Sequence, residues 1–195
     1  MKKSSFLWIA ILVLWALPAA GQYKPEREHR VKKSQFPVEA VALVEAKIPG
    51  ARRKRYYRET DSSEVRYRVR FRKDRLHYRG HFDKEGFLHA MDISITATDI
   101  PDESMGLMRD HLDGLYDSYK IRDMRQQYIM QVGESLETFL RNTFQNLILP
   151  DMRYELQVSG KKSGGSGEYE FVFDAGGKFI RKRIMLPPNY DHILY

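Results

Sequence analysis

Between positions 65 and 71 the chain alternates without a break. Val65, Tyr67, Val69 and Phe71 are apolar or aromatic, and Arg66, Arg68, Arg70 and Arg72 are cationic. Strand side chains point alternately to opposite faces, so a period of two predicts a half-buried strand. Leu76, Tyr78, Gly80 and Phe82 alternate in the same way with Arg75, His77, Arg79 and His81. Asp83-Lys84-Glu85-Gly86 reads as a hairpin turn, with glycine at the position that needs a positive φ. Residues 87–96 form the return strand, and residues 53–59 add one more strand at the start of the set. Upstream the period changes. Ala40, Val41, Leu43, Val44, Ala46 and Ile48 recur at helical spacing between Phe36-Pro37 and Pro49-Gly50, which predicts a helix over 37–47.

The same order returns further along. Ile100-Pro101 stands where Phe36-Pro37 stood, and a helix is predicted over 102–116. Strands follow at 119–131, 152–159, 168–174 and 178–186, with the low-complexity stretch 161–167 (KKSGGSG) read as a loop. Phe173-Asp174-Ala175-Gly176-Gly177 repeats the turn phrase Phe82-Asp83-Lys84-Glu85-Gly86. The second unit is longer than the first. Residues 134–147, with Leu136, Phe139, Leu140, Phe144 and Leu147 at helical spacing, account for the excess as an inserted helix. The predicted class is α+β: two tandem repeats, each a helix plus an antiparallel four-stranded sheet, with the helices on one face. The units span 36–98 and 99–186. A cystatin-like single sheet wrapped on a helix is the structural alternative.

The ends read differently. Lys2 and Lys3, the apolar stretch 6–20, Pro18 and the small residues Ala19-Ala20-Gly21 have the layout of a secretory signal over 1–21. The stretch is shorter than the roughly 20 residues that span a bilayer. This implies export to the periplasm or surface of a bacterium. Residues 22–35 are polar and read as a flexible leader; residues 187–195 read as a tail. The chain has no cysteine, which excludes disulfides, thiol nucleophiles and thiolate metal sites.

Phe36-Pro37, Ile48-Pro49-Gly50, Tyr67-Arg68-Val69-Arg70-Phe71 and Phe82-Asp83-Lys84-Glu85-Gly86 together resemble the PepSY-like family, which is related in fold to the beta-lactamase inhibitor protein. The resemblance implies a secreted, non-enzymatic binding protein with tandem helix-plus-sheet repeats and a sheet for its binding surface. The inhibitor protein carries disulfides and this chain does not. That departure, with the inserted helix, counts against a beta-lactamase as the partner.

Charge then points to a site. Lys and Arg number 33 against 26 Asp and Glu, a formal net charge of +7. The candidate binding residues are Arg66, Arg68, Arg70, Arg72, Arg75, His77, Arg79 and His81, on one face of two neighbouring strands. Guanidinium groups at this density repel one another and favour carboxylate or phosphate partners. An acidic protein surface in the cell envelope is therefore the expected partner. Glu155, Glu168 and Glu170 offer the other reading, neutralisation within a shared sheet. A carrier or sensor of a small anionic or lipid ligand is the alternative function. No nucleic acid is expected, because export and the core-facing tyrosines count against it. The sequence implies no metal and no cofactor: His77 and His81 would stand about 13 Å apart on a strand. Asp83 and Asp174 read as turn residues rather than catalytic carboxylates. No nucleophile elbow or phosphate loop occurs, so no enzyme is expected.

Overall fold

A computed structural model of the chain describes residues 27–60 and 64–185. The predicted signal at 1–21 and tail at 187–195 lie outside the described residues.

Nine strands form one antiparallel sheet in sequence order: β1 (Arg27–Val31), β2 (Arg52–Thr60), β3 (Val65–Lys73), β4 (Leu76–Phe82), β5 (Leu88–Ser94), β6 (Ser118–Ile129), β7 (Arg153–Lys162), β8 (Gly165–Asp174) and β9 (Phe179–Ile184). Helix α1 (Val38–Lys47) precedes β2, α2 (Asp102–Asp113) precedes β6, and α3 (Leu136–Phe144) lies between β6 and β7. The two predicted units thus share one continuous sheet through the β5–β6 pairing, where Met91 stands opposite Tyr128.

Register explains the core. Val69 pairs with Gly80 and Phe71 with Tyr78. Tyr78 pairs with Ile93 and Gly80 with Met91. Tyr154 pairs with Phe173, and Leu156 with Phe171. All of these point to one face and are buried there with Ala40 and Val44 of α1, Met105, Met108 and Leu112 of α2, and Phe139 and Leu140 of α3. The three helices therefore cover one side of the sheet. Removing such side chains from water is the main driving force of folding, worth about 1.5–3 kcal/mol for each fully buried large side chain.

Both proline-led helix starts behave as the sequence predicts. Pro37 and Pro101 immediately precede α1 and α2, with φ of −54° and −53°. Ser135 caps α3 by accepting a hydrogen bond from the Thr138 N–H. The inserted helix is packed rather than exposed. Phe139 is buried, and Phe144 meets the Tyr78 ring edge-on at 5.3 Å. The chain leaving α3 is fixed when Gln126 Nε2 and the Tyr128 hydroxyl both donate to the Leu147 carbonyl, at 3.1 and 2.7 Å.

The two Phe-Asp turns have matching construction. Asp83 Oδ1 accepts from the Phe87 N–H, and Asp174 Oδ1 accepts from the Lys178 N–H, each at 2.8 Å. Gly86 and Gly177 have φ of +93° and +86°. A Cβ on Gly86 would lie 2.8 Å from the Ala40 nitrogen, and one on Gly177 would lie 2.3 Å from the Ser104 carbonyl oxygen. The first turn is therefore pressed against the start of α1, and the second against the start of α2. Glycine is needed there for both conformation and space.

Three expectations need correction. The leader predicted over 22–35 is not featureless within its described part: Arg27–Val31 is an edge strand paired with β2, and Lys33–Gln35 forms a 3₁₀ turn. An edge strand needs only main-chain partners and few apolar side chains, so its polar composition conceals it. The stretch read as a loop over 161–167 is a tight hairpin, since β7 continues to Lys162 and pairs there with Gly165. Glycine and serine weaken a strand prediction but do not stop a ladder already set in register. Third, Arg75 does not lie on the strand face. It occupies the β3–β4 turn with Asp74, both at positive φ (+70° and +48°).

Candidate functional site

Opposite the helices, the sheet presents an open concavity of about 1640 Å³ lined by side chains from β1 through β9. Its floor follows from the same alternation that builds the core. With Val69 and Phe71 turned inward, Arg68 and Arg70 turn outward. Arg68 stands opposite His81, and Arg70 opposite Arg79. Arg79 stands opposite Asp92, and Asp92 opposite Gln127. Arg125 is paired with Glu155, and Glu170 with Arg183.

Of the eight residues predicted for the site, Arg66, Arg68, Arg70, Arg79 and His81 line this concavity. Arg72 and His77 face each other further along the two strands, beyond the lining. Arg75 is in the turn. The sequence expects a cationic face, but the surface is mixed. Glu28, Glu59, Asp92, Asp123, Glu155 and Glu170 stand among the arginines.

The pairings are specific. Arg68 donates through Nη2 to Glu59 Oε2 at 2.9 Å and through Nη1 to Glu28 Oε1 at 3.3 Å. Arg70 donates to Glu28 Oε2 at 2.5 Å and lies 4.4 Å over the Tyr57 ring. Neutralisation of β3 thus comes from β1 and β2. Glu155 and Glu170, which the sequence offered for that role, meet Arg125 at 3.8 Å and Arg183 at 2.9 Å. Arg66 pairs with its near neighbour Glu64 at 2.9 Å and is exposed.

At the centre His81 Nε2 lies 2.7 Å from Asp92 Oδ2. Gln127 Nε2 donates to Asp92 Oδ1 at 3.0 Å and to Glu155 Oε1 at 3.1 Å, so one amide bridges two carboxyl groups. Asp92 is 1% exposed. Burial pushes its carboxyl up, but His81, Gln127 and Arg125 more than offset this and hold it well below the usual range. Glu155 goes the other way. Burial, with Asp92 and Glu170 nearby, pushes it up to about 7 despite Arg125 and His81. Burial also lowers Arg79, and repulsion from Arg125, Arg70 and Arg68 adds to this, bringing it to about 10. For Arg68 burial is outweighed by Glu59 and Glu28, and its pKa is raised.

These contacts are charge pairs within a sheet, and none sets a nucleophile beside a base. Asp83 and Asp174 bond their own turns, as expected. Among the described residues, no group of three or more histidine or acidic side chains is placed to hold a metal. No described helix is long and apolar enough to cross a membrane. The sequence reading missed Glu28, Glu59, Asp92, Arg125 and Arg183. The signal was present for part of the set: Asp123, Arg125 and Gln127 share one parity on β6, and Arg181 and Arg183 share one on β9.

The architecture has counterparts among solved structures. A protein from Bacteroides eggerthii described as periplasmic superposes with a TM-score of 0.53 at 11% identity, over 76% of this chain and 88% of that chain. A DUF2874-family protein from Bacteroides uniformis gives 0.52 at 13%, over the same shares. A BLIP-like protein from Bacteroides fragilis gives 0.50 at 12%, over 80% of this chain and 92% of that one. The fold is similar to that of BLIP-like proteins. At these identities the likeness concerns the fold alone. No family model matches the sequence, and no curated protein matches it significantly. In this BLIP-like arrangement the helices occupy one face, and the charged concavity is the sheet's other face.

Proposed function

We propose that this chain is a non-catalytic binding protein of the bacterial cell envelope, which receives an acidic protein surface in the concavity of its sheet. The observation that carries the reading is the sheet's second face, over which no described helix lies. Nine strands bring charged side chains to one concave floor, and Asp92, Arg125 and Glu155 are held there at 1%, 5% and 6% exposure. Charges fixed in advance lose little freedom on binding and select partners by complementarity. The net positive charge, which persists without Lys2 and Lys3 of the predicted signal, assists encounter with an acidic partner and makes it sensitive to salt. The signal-like N-terminus and the fold's likeness to periplasmic proteins support the envelope as the compartment. A lipid carrier has less to recommend it, because the pocket between α3 and the sheet holds about 10 Å³, room for one water.

The test is capture from envelope extract at low and high salt, with wild type and an Arg66→Glu/Arg181→Glu variant. Both residues are exposed on the rim of the concavity, so their reversal spares the buried pairs. Capture should fall with salt for the wild type and be lost in the variant. Equal recovery under all four conditions overturns the reading.

A further inference from the structure

Among the arginines of the concavity that are not exposed, one is treated differently from the rest. Arg68 and Arg70 each hydrogen-bond a glutamate, and Arg183 bonds Glu170. Arg125 bonds Asp123. Arg79 makes no hydrogen bond among the described residues. Its sole ion-pair contact there is Asp123 Oδ2 at 3.6 Å, and that carboxylate is already engaged by Arg125. The Arg79 side chain is nonetheless only 20% exposed. Its nitrogens make no hydrogen bond among the described residues and none is fully enclosed, so the guanidinium's donors are open to an acceptor that enters the concavity. Arg70 stands directly opposite it, and like charges in that position repel.

A second observation lies beside the first. The Nε atoms of Arg68, Arg70 and Arg125 are buried without an acceptor among the described residues. These are the same three arginines that repel Arg79. Three buried donors and the Arg79 fork therefore meet at this spot without an acceptor among the described residues. Asp92 stands opposite Arg79 on β5, but its two oxygens are taken by His81 and Gln127.

We propose that Arg79, flanked by Arg70 and Arg125, is an anion subsite on the concavity floor that accepts a carboxylate from an acidic side chain of the bound protein. The planar fork of Arg79 takes such a group bidentately. The subsite deepens the binding reading above and rests on it, since it identifies where the partner's acidic residue is anchored.

The experiment needs no partner, so its failure is separable from loss of salt-sensitive capture. Glutarate and inorganic phosphate are titrated separately into wild type, Arg79→Gln, Arg79→Lys and Arg141→Gln, the last an exposed position on α3 away from the concavity. Binding is read from the arginine Nε–H resonances, and folding from thermal unfolding. Glutarate should shift the Arg79 resonance saturably in wild type and in Arg141→Gln. Arg79→Gln should weaken glutarate binding by about tenfold or more, and Arg79→Lys should retain an intermediate affinity. The lysine variant keeps the charge, so it remains informative if the glutamine variant does not fold. Three results overturn the proposal: no saturable shift with glutarate, undiminished binding by Arg79→Gln, or saturation by phosphate with none by glutarate.

Discussion

At the scale of single residues, the informative pair is Asp92 and Glu155, bridged by the Gln127 amide and shifted in opposite directions. Glu155 titrates near 7 in the folded protein, against 4.5 for an ordinary glutamate. Between those values the folded state holds a proton that the unfolded state has lost. Stability from this residue is therefore full below pH 4.5 and declines as pH rises towards 7. Asp92 has the reverse sign: its contribution is present above its ordinary value of 3.8 and is lost as pH falls further. Maximum stability should lie near the lower end of the range between them. Urea unfolding at about pH 5 and about pH 8 should show the wild type weaker at the higher pH, by up to about 3 kcal/mol. Glu155→Gln, which cannot ionise beside Asp92 and Glu170, should flatten that slope. If it keeps the full slope, the pH dependence arises elsewhere.

At the scale of elements, the Phe-Asp turns and the first strand decide most. Gly177 needs both positive φ and space against Ser104, whereas Gly50 has φ of +82° and open space, with nothing within 4 Å of where a Cβ would sit. Gly50→Ala should cost about 1 kcal/mol through backbone strain alone. Gly177→Ala should cost clearly more, because α2 must also shift. Thermal unfolding of the two variants checks the order, and equal losses would mean that the turn does not press on the helix. β1 is tested through Glu28, which binds both Arg68 and Arg70. Glu28→Gln should destabilise by about 1–3 kcal/mol, and the exposed Glu85→Gln should change little. Here the limits of sequence reading have a physical origin. Strands β3 to β5, the proline-led helices and the Asp turns were legible because each is set by near neighbours. The contact of Glu28 with Arg68 crosses three strands, and its existence depends on register, which no local pattern encodes. β1 and the hairpin at Lys162–Gly165 were missed for a related reason: main-chain pairing holds them, and their side chains advertise little.

For the whole molecule, the sheet separates two kinds of interaction that respond differently to solvent. The core is apolar, and the pairs on the concave floor are largely buried, so salt screens them weakly. Rim cations such as Arg66 and Arg181 are exposed and screened strongly. Raising sodium chloride from about 0.05 to about 0.5 M should therefore reduce partner capture while leaving the melting temperature nearly unchanged. A large parallel drop in both would show that the floor pairs are more open to ions than their burial implies.

Strand alternation gives the molecule a useful independence. Along β3 Val69 and Phe71 pack in the core, and the even positions Arg66, Arg68 and Arg70 face the charged concavity. An exposed even residue can change sign without disturbing a packed methyl group. Recognition can thus diverge while the scaffold keeps its shape, and chains of this architecture sharing little sequence could greet quite different visitors on the same platform.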